Sequence, residues 1–151
     1  MEAYPCPEWL KRRRITDAEY AGWLDSQAVS IWAREKEAGK TACASRADLK
    51  RALHRAASES DGRDPYSGRR FFVKHMRAGW TDPHAHLKGN RHHRTICGSM
   101  PSFDHVKGLG KKTYELCTRE TNSAKSYMSP AQFIDFCRSV VRYRLETADM
   151  G

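Results

Sequence analysis

Apolar residues recur at intervals of three and four in the first third of the chain and again near its end. That is the period of helices with one buried face. Tyr20, Trp23, Leu24, Ala28, Ile31 and Trp32 form the first stripe. Thr16-Asp17-Ala18-Glu19 stands just before it as a capping box, in which Thr caps the helix start and Glu reaches back. The helix is predicted to stop near Gly39. Ser45-Arg46-Ala47-Asp48 opens a second helix, with Leu49, Ala52, Leu53 and Ala56 on one face and His54 beside it as a packing or surface residue. The clearest helix is the last. Ser129 caps it, Pro130 occupies its first turn and Gln132 completes a second capping box. Phe133, Phe136, Cys137, Val140, Val141 and Arg144 follow at helical spacing.

Between these helices the pattern is weaker. Arg70-Phe71-Phe72-Val73-Lys74 reads as a short strand and Thr95-Ile96-Cys97 as another, with a turn-rich stretch from Gly79 to Asn90. The polar run from Ser58 to Asp64, which contains Gly62, reads as a hinge. Residues 1–14, with Pro5, Pro7, Trp9 and a basic cluster, read as a poorly ordered or docked arm, with a flexible terminus favoured over a DNA-clamping arm. The expected organisation is an arm and helical hairpin over residues 1–60, then a core with a C-terminal helix over 61–151.

Composition narrows the function classes. The 151 residues carry 27 Lys and Arg against 18 Asp and Glu, a formal charge of +9. The excess gathers between Arg63 and Lys112, where the acids are only Asp64, Asp82 and Asp104. A polyanion, and nucleic acid above all, is the expected partner. No apolar run approaches the roughly 20 residues of a membrane span. Lys11-Arg12-Arg13-Arg14 leads into an acidic, amphipathic stretch rather than an apolar signal. The expected location is therefore cytoplasmic, with no membrane partner. Five widely spaced cysteines suit neither a disulfide framework nor a regular zinc module, and Cys117 and Cys137 are expected to pack as small apolar residues.

The chemistry concentrates in Pro101-Ser102-Phe103-Asp104-His105-Val106, followed eighteen residues after Asp104 by Asn122 in Thr118-Arg119-Glu120-Thr121-Asn122-Ser123-Ala124-Lys125. Asp104 and Asn122 offer hard oxygen ligands for Mg²⁺ or Mn²⁺. His105 has the side chain that suits a general base, taking a proton from water. Lys125 lies one helical turn after Asn122, placed to hold a phosphate. Arg69, Arg70, Lys107, Lys111, Lys112 and Arg119 are the expected nucleic-acid contacts around them.

These residues resemble the HNH, or ββα-metal, nucleases. Asp104-His105-Val106 is similar to the Asp-His-Ile/Val that opens the family motif. The segment Thr113 to Asn122 resembles the stretch leading to the family's helical metal ligand, as in the HNH domain of the CRISPR effector nuclease. Asn122-x-x-Lys125 with the trailing Ser129-Pro130 helix, and Asp64-Pro65-Tyr66-Ser67-Gly68 upstream, are also similar to small HNH proteins. The resemblance runs from about Asp64 to Arg144. It implies an α+β fold: a ββα-metal core, here with an N-terminal helical hairpin and a C-terminal helix. It also implies a hairpin around Asp104-His105 with Gly108 and Gly110 in its loop, and cleavage of duplex DNA to leave 5′-phosphate and 3′-hydroxyl ends. A phage-encoded, restriction-related or homing setting would suit such an enzyme. Two departures stand out: Thr113 occupies the family's middle-Asn position, and the Cys-x-x-Cys pairs of a zinc ribbon are missing.

Other readings compete. His84, His86, His92, His93 and Cys97 have zinc-binding chemistry, but their spacing matches no strong signature, so a structural Zn²⁺ is not expected. A non-catalytic nucleic-acid-binding protein of the same fold is the alternative. A zinc-stabilised interaction module is the third reading, against which the basic excess argues.

Overall fold

The computed structural model describes residues 4–39, 41–81, 97–106 and 114–148. The fold is α+β: helices around a two-stranded antiparallel sheet. Helix α1 spans Glu8–Lys11, α2 Asp17–Glu37 and α3 Arg46–Glu59. Strands β1 (Pro101–His105) and β2 (Tyr114–Thr118) follow, then α4 (Arg119–Lys125) and α5 (Pro130–Ala148).

The three capped helices begin where their caps predict. The Glu19 amide N–H donates to Thr16 Oγ1 and the Thr16 amide N–H donates to Glu19 Oε2, closing the capping box of α2. At α3 the Ser45 hydroxyl oxygen accepts from the Asp48 amide N–H. At α5 Ser129 and Gln132 exchange the same reciprocal pair of bonds. Each cap satisfies amide groups that the first turn of a helix leaves unpaired.

One hydrophobic cluster runs through both expected halves of the chain. Leu24 and Ile31 of α2, Leu49 and Leu53 of α3, Phe71, Phe103 and Leu116 all belong to it. Trp23 of α2 lies 5.4 Å from Phe103 of β1, ring centre to ring centre. The helical hairpin therefore covers one face of the sheet, and α4 covers the other.

Several expectations are corrected. Of the two forms expected for the N-terminal arm, poorly ordered or docked, the structure shows the docked one: Leu10 is fully buried, Cys6 and Ile15 are buried, and the Cys6 amide N–H donates to Asp17 Oδ1. Apolar side chains in the arm outweigh its proline and charge content. Residues 70–74 do not form a strand: among the described residues their ladder pairing is one bridge between Arg70 and Arg63, and a 3₁₀ turn begins at Lys74 and runs to Met76. Phe71 and Val73 still bury their side chains. The expected hinge is packed: Gly62, at φ +86°, lies so close to Trp9 that a Cβ would come within 2.8 Å of Cε3. Cys117 is fully buried as expected, whereas Cys137 is exposed.

Helix α5 contributes Phe133 to the core, edge-on to Tyr66, and leaves Phe136, Val140, Val141 and Leu145 exposed. Among the described residues no helix is long and apolar enough to cross a membrane.

Candidate functional site

Strand pairing decides which side chains meet. Asp104 stands opposite Glu115, Ser102 opposite Cys117 and His105 opposite Tyr114. Because side chains alternate along a strand, Ser102, Asp104, Glu115 and Cys117 share the face that α4 covers. Phe103, His105, Tyr114 and Leu116 share the face that the helical hairpin covers.

Helix α4 starts immediately at the end of β2. Thr118 is its cap, accepting from the Thr121 amide N–H at 3.1 Å, so Asn122 is free of capping duty and lies within the helix. Asn122 uses its amide nitrogen to grip β1: Nδ2 donates to Ser102 Oγ at 2.9 Å and to the Phe103 carbonyl at 3.1 Å. Both described bonds leave from nitrogen, which keeps the amide oxygen as the ligand-type atom.

One turn later Lys125 turns inward. Its Nζ lies 2.8 Å from Asp104 Oδ2, with the two side chains 1% and 4% exposed. Lys125 thus faces neither solvent nor an open phosphate site, contrary to the phosphate-holding role its spacing suggests. Lys125 and Asp104 thus form a buried ion pair. Two carboxylates facing each other across a sheet repel. Here Lys125 neutralises Asp104, while the Tyr66 hydroxyl donates to Glu115 Oε2 at 3.0 Å. Burial, then the nearby Glu115 charge, push the Tyr66 hydroxyl well above its ordinary pKa, so it remains a donor.

Asp64 ties the upstream turn to this unit. Its Oδ1 accepts from the amides of Tyr66 and Ser67 and from the Ser67 hydroxyl, and its Oδ2 accepts from the Thr118 amide N–H at 2.6 Å. Burial alone would raise the Asp64 carboxyl. The donors of Thr118, Ser67 and Thr121 outweigh it and hold the pKa below the usual carboxylate value. A buried carboxylate therefore cross-links the Asp64–Gly68 turn to the start of α4.

His105 is exposed and sits against the Tyr114 ring at 5.2 Å. It does not share the face of Asp104. Tyr114 in turn donates its hydroxyl to Glu35 of α2. Of the expected nucleic-acid contacts, Arg69 pairs with Glu120 on α4, Arg119 is exposed at the start of α4, and Arg70 is exposed beside the bridge to Arg63. Lys107, Lys111, Lys112 and Thr113 lie outside the described residues, as do Gly108, Gly110, His84, His86, His92 and His93.

Asp104 and Asn122 carry oxygens of the type a hard divalent cation takes, but Asp104 Oδ2 already faces the Lys125 ammonium at 2.8 Å. Among the described residues no group of three or more His, Cys, Asp or Glu side chains is arranged to hold a metal. Sequence reading overlooked Glu115. Its only sequence signal is an acid within the segment that pairs with the Asp104 strand. Comparison with known proteins gives no relative: no protein-family model, curated protein or solved structure matches this chain.

Proposed function

We propose that the chain is a metal-dependent DNA endonuclease of the HNH kind, with a ββα-metal core formed by β1, β2 and α4. One observation carries this reading: the hairpin and helix bring Asp104 and Asn122, far apart in sequence, to the same side of β1, with Asn122 anchored through nitrogen to the strand. Mg²⁺ or Mn²⁺ held by these two oxygens would neutralise charge on the phosphate being cut. His105 is the general base, accepting a proton from the attacking water at the exposed end of β1. The positive surface holds the polyanion. Lys125 keeps the Asp104 carboxylate in place rather than touching substrate.

A second reading is a nucleic-acid-binding protein of the same fold without catalysis. The position of Lys125 on Asp104, and of His105 on the opposite strand face, favour it. Incubation of plasmid DNA with the protein in Mg²⁺, Mn²⁺ or EDTA separates the two. Cleavage that EDTA stops, and that His105→Ala lowers by about 10²–10⁴, supports the endonuclease. Cleavage at the same rate in EDTA, or at the native rate by His105→Ala, refutes the mechanism. Retained DNA binding with no cleavage in either metal selects the second reading.

A further inference from the structure

Four arginines converge on a small pocket that contains neither the proposed metal ligands nor the proposed base. Arg12 and Arg13 come from the end of α1, and Arg63 and Arg70 face each other across the isolated bridge. The floor is Trp9 and Gly62. The Trp9 indole N–H donates to the Ala57 carbonyl at 2.8 Å, its ring packs on Phe71, and Gly62 lies against the ring at a distance that only a residue without Cβ allows. The floor is therefore rigid, pinned from three sides.

The charges around it are poorly compensated. Arg12 reaches Glu8 at 3.6 Å, with both side chains mostly exposed. Among the described residues no carboxylate pairs with Arg13, Arg63 or Arg70. Asp61 is the single acid among the described lining residues, and its Oδ1 accepts the Arg63 amide N–H at 2.9 Å. Like charges placed opposite each other across a bridge destabilise it. An anion between them would remove that cost, and arginine forks match the oxygens of a phosphate. The pocket is about 150 Å³. That is room for several waters, on the scale of one phosphate group.

We propose that this arginine pocket is a phosphate-binding site that holds one phosphodiester of a nucleic-acid backbone. It rests on the nucleic-acid function proposed for the chain only for the identity of the polymer. The site positions the strand by its backbone and reads no base, since phosphate contacts carry no sequence information.

The test is duplex binding by fluorescence anisotropy in EDTA, across a salt series, so that cleavage plays no part. Arg13→Gln/Arg70→Gln is compared with Arg138→Gln/Arg142→Gln, which removes the same charge from α5. The pocket variant should bind about tenfold more weakly at low salt. The slope of log K against log salt should become shallower by about 0.9 for each phosphate that the variant no longer neutralises. The control pair should change both much less. Both variants should melt no lower than the parent, which separates weaker binding from impaired folding. Equal effects from the two pairs would show that only net charge matters and would overturn the pocket, while leaving the plasmid test of cleavage standing. Thermal stabilisation by inorganic phosphate, abolished in the pocket variant but without duplex binding by the parent, would overturn the polymer assignment.

Discussion

Replacing Lys125 by Met should be among the most damaging single changes in this protein. The Lys125 ammonium and the Asp104 carboxylate are both almost fully buried and 2.8 Å apart. Glu115 stands across the sheet from Asp104. Met fills much of the same volume, so what disappears is chiefly charge. Leaving one member of a buried pair uncompensated costs about 3–5 kcal/mol, a large part of the 5–15 kcal/mol that typically holds a domain together. For a chain of this size the melting temperature should fall by on the order of 10 °C. Asp104→Asn should destabilise in the same sense, by stranding the ammonium. The double variant Asp104→Asn/Lys125→Met carries neither charge and should be more stable than Lys125→Met alone, so the two effects will not add. Urea denaturation at neutral pH in EDTA, with thermal melts as a second readout, measures all three. On the proposed metal reading, Mn²⁺ should stabilise Lys125→Met more than the parent at the same concentration, with a gain over the metal-free variant of about 2.7 kcal/mol at a hundred times its dissociation constant. A Lys125→Met variant within about 0.5 kcal/mol of the parent, or strictly additive single effects, would refute the buried-pair argument. Failure of Mn²⁺ to stabilise any variant would count against the metal alone.

Two further predictions concern acid sensitivity. Asp64 has a folded pKa below its ordinary value, so its contribution is complete above about pH 4 and is lost as pH falls through the folded value; Asp64→Asn should lower stability at neutral pH and flatten that acid limb in pH-dependent urea melts, and an unchanged limb would remove Asp64 as its source. His75, stacked on Phe72 and edge-on to Trp80, is held down to about 4, chiefly by burial with a smaller effect from Arg119, despite the bond between Nδ1 and the Phe72 carbonyl. Its neutral form is favoured in the fold, so stability is complete above the ordinary value of 6.5 and declines as pH drops from there towards 4, by roughly 3 kcal/mol in all. His75→Phe should remove that decline, and a variant that kept the parent's slope between those two values would show that another group titrates.

What the sequence determined by itself is local. Thr16 with Glu19, Ser45 with Asp48 and Ser129 with Gln132 are within one helical turn of each other, so their hydrogen bonds follow from spacing alone. The apolar stripes of α2 and α3 are legible for the same reason, because one period of 3.6 residues decides a helical face. Asp104, His105 and Asn122 could be singled out by residue type and order, but their arrangement could not. Strand register sends Asp104 towards α4 and His105 towards Tyr114, and register is a property of two segments. Asp64 meets the Thr118 amide across 54 positions, a pairing that no local pattern encodes. Residues 70–74 have strand-like composition, but among the described residues their ladder pairing stops at one bridge, with single backbone bonds from Phe71 to Gly62 and from Phe72 to Ser99. Helical spacing placed Lys125 beside Asn122, and a surface lysine is the ordinary outcome at such a position. Only the closure of α4 over the sheet put its ammonium against a buried carboxylate, because the charge that makes burial tolerable comes from another element.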